Sequence, residues 1–244
     1  MPEAVICILL FIGAYLFGSV PLAYLIAKWV RGIDLRKVGS GNVGMTNVMS
    51  TVSIWWGIPV LLFDLGKGIL SVYAARWLGL PFYMQVIVGM GAIIGHNWPV
   101  FLKFNAGRGV LTTVGVAFAI EPYMTLILVF LSFVGIPFHQ LPITALISIL
   151  LVSVATLLSN LPGLSSLFVN DFGDQRLILA LALFIIFLIT PIRRMTVPVS
   201  ALGKQISRGE LLLNRFLFDR DIRSRKIWLS RNVPKENSDK EPAG

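Results

Sequence analysis

Long apolar stretches, separated by short polar segments, run along almost the whole chain. A helix that crosses a bilayer needs about 20 mostly apolar residues, with a range of about 17–25. By this measure the pattern predicts seven spans, of which the fourth and fifth are short and meet at Glu121. The predicted spans cover residues 4–30, 53–77, 81–101, 110–120, 123–138, 142–161 and 176–192. The expected fold class is an all-α polytopic membrane helix bundle with about seven transmembrane helices.

Composition supports lipid as the solvent of this chain. Its 244 residues are 56% hydrophobic and 14% charged, and its mean hydropathy is +0.80. A soluble globular domain is about 45–50% apolar and about 25% charged. Because so large an excess of apolar surface has no place in water, the composition excludes an ordinary soluble domain.

The positions of the basic residues predict the orientation. Cytoplasmic loops of membrane proteins carry an excess of lysine and arginine. One set of loops holds most of these residues, whereas the opposite set holds little beyond Arg76. The basic set comprises Arg31, Arg36, Lys37, Lys103, Arg108, Arg193 and Arg194. We therefore predict that these loops are cytoplasmic, with the N-terminus outside and the C-terminus cytoplasmic, which agrees with an odd number of spans.

The residues after the last predicted span are strongly basic. From residue 192 onward, 12 lysine and arginine residues stand against 6 acidic ones, so this part holds +6 of the net charge of +9. We predict a transmembrane domain at 1–192 and a basic cytoplasmic tail at 193–244. Residues 206–229 have the composition of an interfacial amphipathic helix, and disorder is predicted from 232 onward. Such a tail indicates contact with membrane lipids, and no nucleic-acid partner is expected.

The loop after the first predicted span combines glycines with polar and basic side chains. Glycine lets the backbone approach a ligand closely and adopt positive φ, and consecutive N–H groups in such a turn can bind an anion. Hydroxyl, amide and basic side chains add donors. The candidate binding residues of this first loop are Arg36, Lys37, Gly39, Ser40, Gly41, Asn42, Gly44, Thr46 and Asn47. The alternative is a plain glycine-rich turn between two helices.

A second candidate loop follows the third predicted span. It contains Lys103 and the run Gly107-Arg108-Gly109, which directly precedes the fourth predicted span. Flexible backbone and a cation at a helix N-terminus suit a phosphate. The alternative is a simple topology signal, for which one lysine and one arginine suffice. Because both loops follow odd-numbered spans, they lie on the same side and suit two phosphorylated molecules.

Ionisable residues inside predicted spans are further candidates. Asp64 and Lys67 lie in the second span, where charges are costly and often functional. They can contact a ligand or neutralise each other, since a spacing of three places them side by side. His96 is a candidate general base, although a histidine at a helix end often only donates to nearby backbone. His139 is a weaker candidate.

Several segments, in order, resemble one family. They are Gly18-Ser19-Val20-Pro21 with Tyr24, the loop 34–47, Asp64-Leu65-Gly66-Lys67-Gly68, and the segment from Gly95-His96-Asn97 to Gly109. Over about residues 10–120 the chain is similar to the bacterial membrane-integral, acyl-phosphate-dependent glycerol-3-phosphate acyltransferases. These enzymes transfer a fatty acyl group from acyl phosphate to glycerol 3-phosphate, which yields lysophosphatidic acid and phosphate.

The resemblance implies a multi-pass protein of the bacterial cell membrane whose active site faces the cytoplasm. It implies acyl phosphate and glycerol 3-phosphate as substrates, with no cofactor and no metal. Ser40 and Asn42 would act in the first loop, with His96 as the candidate base. Gly107, Arg108 and Gly109 would bind glycerol phosphate.

The chain departs from the family pattern in places. It has Ser50 where the family has an arginine, and Arg108 where it has a lysine. After the last span, where the family has a third motif with a histidine, an asparagine and a glutamate, the chain has Arg193 and Arg194. Two alternatives therefore stay open, a related transferase with another donor or acceptor and a non-catalytic phosphoanion-binding or transport protein on the same fold.

Overall fold

The computed structural model describes residues 1–135, 137, 141–158 and 175–230. Every regular element within these ranges is helical. The α-helices are α1 (Glu3–Gly18), α2 (Leu22–Arg31), α3 (Met45–Thr51), α4 (Ile54–Trp77), α5 (Phe82–Asn97), α6 (Val110–Ile120), α7 (Pro122–Phe133), α8 (Leu141–Leu157), α9 (Arg176–Met195), α10 (Arg208–Phe218) and α11 (Arg225–Ser230). Short 3₁₀ helices occupy Leu35–Lys37, Val100–Leu102 and Gly203–Gln205.

The apolar helices present apolar side chains to their surroundings. Four segments are long and apolar enough to cross a membrane, namely Glu3–Arg31, Ile54–Trp77, Phe82–Leu102 and Arg176–Met195. The shorter apolar helices are Val110–Ile120, Pro122–Phe133 and Pro142–Leu157. Phe130 is 72% exposed and Leu62 is 62% exposed, which suits a lipid environment. Each predicted apolar stretch thus contains a helix, while the predicted ends at 138 and 161 lie outside the described residues.

The first predicted span, over residues 4–30, lies within the membrane-crossing segment Glu3–Arg31, but the helix is interrupted between α1 and α2. Pro21 has no N–H group, and its ring disfavours helical backbone at the residue before it. The break leaves the carbonyl of Gly18 available to a partner outside its own helix. Lys67 Nζ on α4 donates to that carbonyl oxygen at 2.9 Å. The irregularity in the first span therefore creates a polar contact inside the bundle.

Glycines set the distance between the central helices. α5 packs along α1, and α6 packs along α4. A Cβ atom at Gly95 would overlap the carbonyl of Tyr15, and one at Gly68 would overlap the carbonyl of Thr112. Small residues at such crossings let two helix backbones approach closely. The close α4–α6 contact fixes where the loop before α6 ends.

Replacing Gly68 by alanine is therefore expected to destabilise the protein. The new methyl group would meet backbone atoms of α6, and overpacking of this kind costs about 1–3 kcal/mol. Gly66→Ala is a matched control on the same helix, because its Cβ would have no atom within 4 Å. We expect a lower thermal unfolding midpoint in detergent for Gly68→Ala and an unchanged or higher one for Gly66→Ala. Equal midpoints for the two variants would contradict the described crossing.

The region after the last span also differs from its prediction. α9 continues through Pro191 to Met195, so the predicted end at residue 192 is too early. The predicted amphipathic helix over 206–229 is divided into α10 and α11. Asp219, with φ of 56° and ψ of 37°, ends α10 in the left-handed conformation common at helix C-termini. The predicted disorder from 232 onward and the candidate His139 lie outside the described residues.

Candidate functional site

The first loop is organised by the side chain of Asn47. Its Nδ2 lies 3.1 Å from the carbonyl oxygens of Leu35 and Val38 and 3.0 Å from that of Asn42. Its Oδ1 accepts a hydrogen bond from the N–H of Ser40 at 3.0 Å. Asn47 was predicted to bind substrate, but it is only 1% exposed and its amide is engaged with the loop itself. The structure therefore places Asn47 where it holds the backbone of the loop in shape.

The glycines of the first loop differ in their backbone. Gly39 and Gly41 have φ of 55° and 75°, which is the left-handed region that glycine adopts readily. Gly44 does not share this conformation, because its φ of −167° is extended and it precedes the first turn of α3. Ser40 Oγ accepts from the N–H of Asn42 at 3.3 Å. Thr46 is exposed on α3, so the tight part of the turn lies at residues 39–42.

The basic residues of the first loop have different surroundings. Arg36 forms a double contact with Asp34, with Nη2 at 2.7 Å from Oδ2 and Nε at 3.0 Å from Oδ1. Its guanidinium also lies over the ring of Tyr24. The hydrogen bond from Arg36 holds the pKa of Asp34 below its usual value, and the same bond raises the pKa of Arg36. Lys37 is exposed. Arg36 is thus held in place, whereas the exposed Lys37 side chain makes no hydrogen bond or ion pair within the described part of the chain.

The second loop is held by Arg193 of α9, which is 1% exposed. Its Nε donates to the carbonyl of Gly107 at 2.9 Å, and its Nη2 donates to that of Ala106 at 2.9 Å. Gly109 has φ of 70° and directly precedes α6. Arg193 was predicted only as a topology signal. In the structure it holds the backbone directly before Arg108.

A buried charged cluster lies behind the second loop. Lys67 Nζ is 2.9 Å from Asp64 Oδ1, and His96 Nδ1 is 3.5 Å from the same oxygen. All three residues are less than 10% exposed. A Cβ atom at Gly107 would overlap His96 Nε2, so the imidazole lies directly against the loop backbone. Of the two alternatives that the spacing of Asp64 and Lys67 allows, the structure shows the pairing of the two side chains.

The cluster borders a cavity that is too small for a substrate. This cavity has a volume of about 10 Å³ and is lined by Asp64, Lys67, His96 and Gly107, among others. That is close to the least volume that holds one water molecule. The three ionisable side chains contact one another and, through His96, the backbone of the second loop.

The tail contains a buried ion pair whose arginine also contacts the end of α9. Arg215 Nε is 2.7 Å from Asp221 Oδ1, and each residue is 3% exposed. Arg215 Nη1 also donates to the carbonyls of Met195 and Val197, and Asp221 Oδ2 accepts from the N–H of Ser200. Burial by itself would raise the pKa of Asp221, but the hydrogen bonds from Arg215 and Ser200 outweigh it and lower the pKa. The carboxylate is therefore charged at neutral pH and fixes the turn after α10.

A second set of contacts joins the tail to the second loop. Arg108 Nε is 2.5 Å from Asp219 Oδ1, and Arg194 Nε is 3.9 Å from the same oxygen. Arg194 also donates to the carbonyl of Phe216 at 2.6 Å and to that of Pro142 at 2.9 Å. Cations near a helix C-terminus are favourable because the carbonyl dipoles point toward them. Arg194 thus links α8, α9 and α10 beside Arg108.

The two loops and the tail line one large, partly open cavity of about 670 Å³. The sequence-predicted residues that line it are Arg36, Lys37, Ser40, Gly41 and Arg108. The structure adds Arg194, Arg215, Asp219, Arg220 and Asp221 to the same cavity. Lys103 lines neither cavity and is exposed at the end of the 3₁₀ helix Val100–Leu102. The site is basic, with its acidic groups contributed by the tail.

The tail residues are the functional candidates that sequence reasoning missed. Composition predicts an amphipathic helix there, and nothing in its spacing points toward the loop around Arg108. The one available signal is Asp219-Arg220-Asp221, a compact pair of acidic residues within a basic segment. Such a run fits a turn that pairs with arginines elsewhere in the chain.

Comparison with known proteins identifies the family. Residues 8–197 match the model of the family described as glycerol-3-phosphate acyltransferase. Glycerol-3-phosphate acyltransferase 4 of Dehalococcoides mccartyi (strain CBDB1) is 40% identical over 222 residues, which covers 91% of this chain and 92% of the relative. Glycerol-3-phosphate acyltransferase 5 of Dehalococcoides mccartyi (strain ATCC BAA-2266 / KCTC 15142 / 195) is 38% identical over 237 residues, 96% of this chain and 98% of the relative. The chain belongs to the glycerol-3-phosphate acyltransferase family.

Solved structures agree with this assignment. The glycerol 3-phosphate form of PlsY (YgiH), an integral membrane glycerol 3-phosphate acyltransferase, has a TM-score of 0.64 and is 28% identical, covering 78% of this chain and 88% of that chain. The lysophosphatidic acid form of the same protein has a TM-score of 0.63 and is 25% identical to this chain. The family predicted from the motifs is therefore confirmed, and the chain is an integral membrane protein. The family model ends at residue 197, whereas the second relative also matches much of the tail.

Proposed function

We propose that the protein transfers a fatty acyl group from acyl phosphate to glycerol 3-phosphate, releasing phosphate and forming lysophosphatidic acid for phospholipid biosynthesis. The observation that carries this proposal is the large cavity in which Arg36, Lys37, Ser40 and Arg108 converge. Both substrates carry phosphate, and guanidinium, ammonium and hydroxyl groups are its natural partners in proteins. Membership of the family supports the same reaction.

We assign one phosphate to each loop. Arg36, Lys37, Ser40 and the N–H groups of the tight turn would hold the phosphate of the acyl donor. Arg108, at the loop that precedes α6, would hold the phosphate of glycerol 3-phosphate. Since both loops line one cavity, the two substrates would lie side by side, with the acyl chain extending into the bilayer.

The reaction needs alignment and stabilisation of negative charge more than it needs a strong base. The acceptor hydroxyl oxygen forms a bond to the acyl carbon, and the bond between that carbon and the phosphate oxygen breaks. The hydroxyl proton passes to the departing phosphate, which is itself a competent acceptor. The cationic side chains of the cavity stabilise the negative charge that develops on the acyl oxygen and on the phosphate.

We propose that His96 helps to hold the second loop in place and does not contact the substrates. Its Nδ1 lies beside Asp64, and its Nε2 lies against Gly107 instead of lining the large cavity. Asp64, Lys67 and His96 would together hold the second loop at the correct distance from the first. Asn42, whose backbone is part of the tight turn, would help to hold Ser40 in position.

For the topology we propose seven spans, with the N-terminus outside and the site facing the cytoplasm. The excess of basic residues on the loop side and on the tail supports this orientation. Cys7 is the single cysteine, so a Cys7→Ser background can carry one new cysteine at a time. An impermeant maleimide should label Glu3→Cys in intact cells and Lys204→Cys only after permeabilisation. The reverse pattern would overturn the orientation.

The reaction itself is tested by following phosphate release from palmitoyl phosphate with the purified wild-type protein. We expect release that depends on glycerol 3-phosphate and that is far slower with glycerol, because glycerol lacks the phosphate that Arg108 would bind. Equal rates with both acceptors would contradict the proposed acceptor site. Release that ignores any acceptor would indicate hydrolysis instead of transfer.

A further inference from the structure

The contact between Asp219 and Arg108 joins the tail to the proposed substrate site. Asp219 Oδ1 is bound by the Nε atom of Arg108, on one edge of the guanidinium. The two terminal amino groups of Arg108 have no hydrogen-bond partner in the part of the chain that the structure describes. Arg108 is 10% exposed and lines the large cavity. One edge of the guanidinium is thus held while its remaining donors stay available to a ligand.

Asp219 is itself held firmly from both sides. On one side, Arg194 of α9 binds the carbonyl of Phe216 in the last turn of α10. On the other side, the buried Arg215–Asp221 pair fixes the turn two residues later. The carboxylate therefore stands on a supported turn and not on a free end of the chain. A supported carboxylate can restrict the rotamers of a long arginine side chain before the substrate arrives.

We propose that Asp219 is a positioning residue for the acceptor, holding Arg108 by Nε so that its two terminal amino groups meet the phosphate of glycerol 3-phosphate. The inference rests on the proposed function and adds a part of the chain that lies outside the family match at 8–197. The tail then completes the substrate site instead of serving only as a membrane-surface segment.

The direction in which removal of the Asp219 carboxylate changes the KM for glycerol 3-phosphate distinguishes a positioning role from a blocking role. A carboxylate that merely occupied the phosphate position would compete with substrate, and its removal would lower the KM for glycerol 3-phosphate. Removing a negative charge near the site would also lower KM through simple Coulomb attraction. A positioning carboxylate gives the opposite result, because an unheld arginine loses more freedom when it binds.

The test compares Asp219→Asn with Glu210→Gln. Asparagine tolerates the left-handed backbone at position 219, so the turn is retained. Glu210 is exposed on α10, and its replacement removes the same charge without touching Arg108. We expect Asp219→Asn to raise the KM for glycerol 3-phosphate about tenfold while kcat and the thermal midpoint change little. Glu210→Gln should leave all three unchanged.

The coupling to Arg108 is tested in the Arg108→Lys background, where no Nε edge exists to be held. There, Asp219→Asn should change KM less than twofold. An unchanged or lower KM for Asp219→Asn in the wild-type background, or an equal effect in both backgrounds, would overturn the inference.

Calorimetric binding of glycerol 3-phosphate separates the two proposals. Wild-type protein that binds but does not transfer would refute the reaction alone, and a tenfold higher Kd for Asp219→Asn would still support the positioning role. Wild-type protein that does not bind glycerol 3-phosphate would overturn both.

Discussion

Replacing Arg108 by alanine is expected to lower kcat/KM for acyl transfer by about 100-fold. Arg108 is the cation of the second loop that lines the large cavity, and its terminal amino groups are directed to no other partner among the described residues. Removing one preorganised donor from a site of developing negative charge costs about 10²–10³ in rate. We would obtain kcat/KM from initial rates of lysophosphatidic acid formation, measured over a range of glycerol 3-phosphate concentrations.

Two comparisons make the Arg108 result specific. Arg208→Ala removes an exposed arginine from the first turn of α10 and should leave the rate unchanged. Arg108→Lys keeps the charge without the forked donor geometry, so its kcat/KM should lie between those of the wild type and Arg108→Ala. If Arg108→Ala and Arg208→Ala retain equal activity, the second loop does not bind the acceptor.

The largest loss of stability is expected from Lys67→Met. Lys67 is 1% exposed and neutralises Asp64 at 2.9 Å, so its removal leaves a buried carboxylate without its cation. Breaking a buried pair by removing one partner costs about 3–5 kcal/mol. The carbonyl of Gly18 loses its donor in the same variant. We expect a lower thermal unfolding midpoint in detergent and little correctly folded protein.

Lys28→Met is the matched control for this prediction, because Lys28 is exposed on α2. Replacing both members of the buried pair, as in Asp64→Asn/Lys67→Met, should recover more than half of the lost stability, since no buried charge is then left unpaired. A Lys67→Met protein as stable as Lys28→Met would mean that Asp64 is neutralised in some other way.

The sequence predicts most of the helical framework, because each membrane helix corresponds to a continuous local run of apolar residues. The apolar stretch at 110–120 becomes α6 with the same bounds. The break at Pro21 could also have been read locally, since proline inside a span is a known interruption. The stretch around Pro21 is nevertheless apolar enough for its composition to predict one span without an interruption.

The candidate site could be predicted only as far as it is local. The first loop shows its glycines and donors within a dozen residues, and the run Gly107-Arg108-Gly109 is equally compact. The contact between Arg108 and Asp219 spans 111 positions, and no periodicity connects its two partners. Composition also could not show that Asn47 faces the backbone of its own loop, since the same amide could equally bind a ligand.

The departures from the family pattern acquire a structural context. Arg193 and Arg194 lie in the last turn of α9, where the family pattern described above has its third motif. Arg193 binds the carbonyls of the second loop, and Arg194 binds the last turn of α10. These two arginines therefore connect the membrane helices to the second loop and to the tail. The chain thus has a folded tail beside the large cavity, directly after the two arginines that depart from the family pattern.

The most direct measurement is transfer of label from radioactive glycerol 3-phosphate into lysophosphatidic acid by the purified wild-type protein in detergent. The reaction is run once with palmitoyl phosphate and once with palmitoyl-coenzyme A as the donor. We predict labelled lysophosphatidic acid with palmitoyl phosphate and none with palmitoyl-coenzyme A, with the signal lost in a Ser40→Ala/Arg108→Ala control. Protein that binds glycerol 3-phosphate but yields no labelled product from palmitoyl phosphate would contradict the proposed reaction.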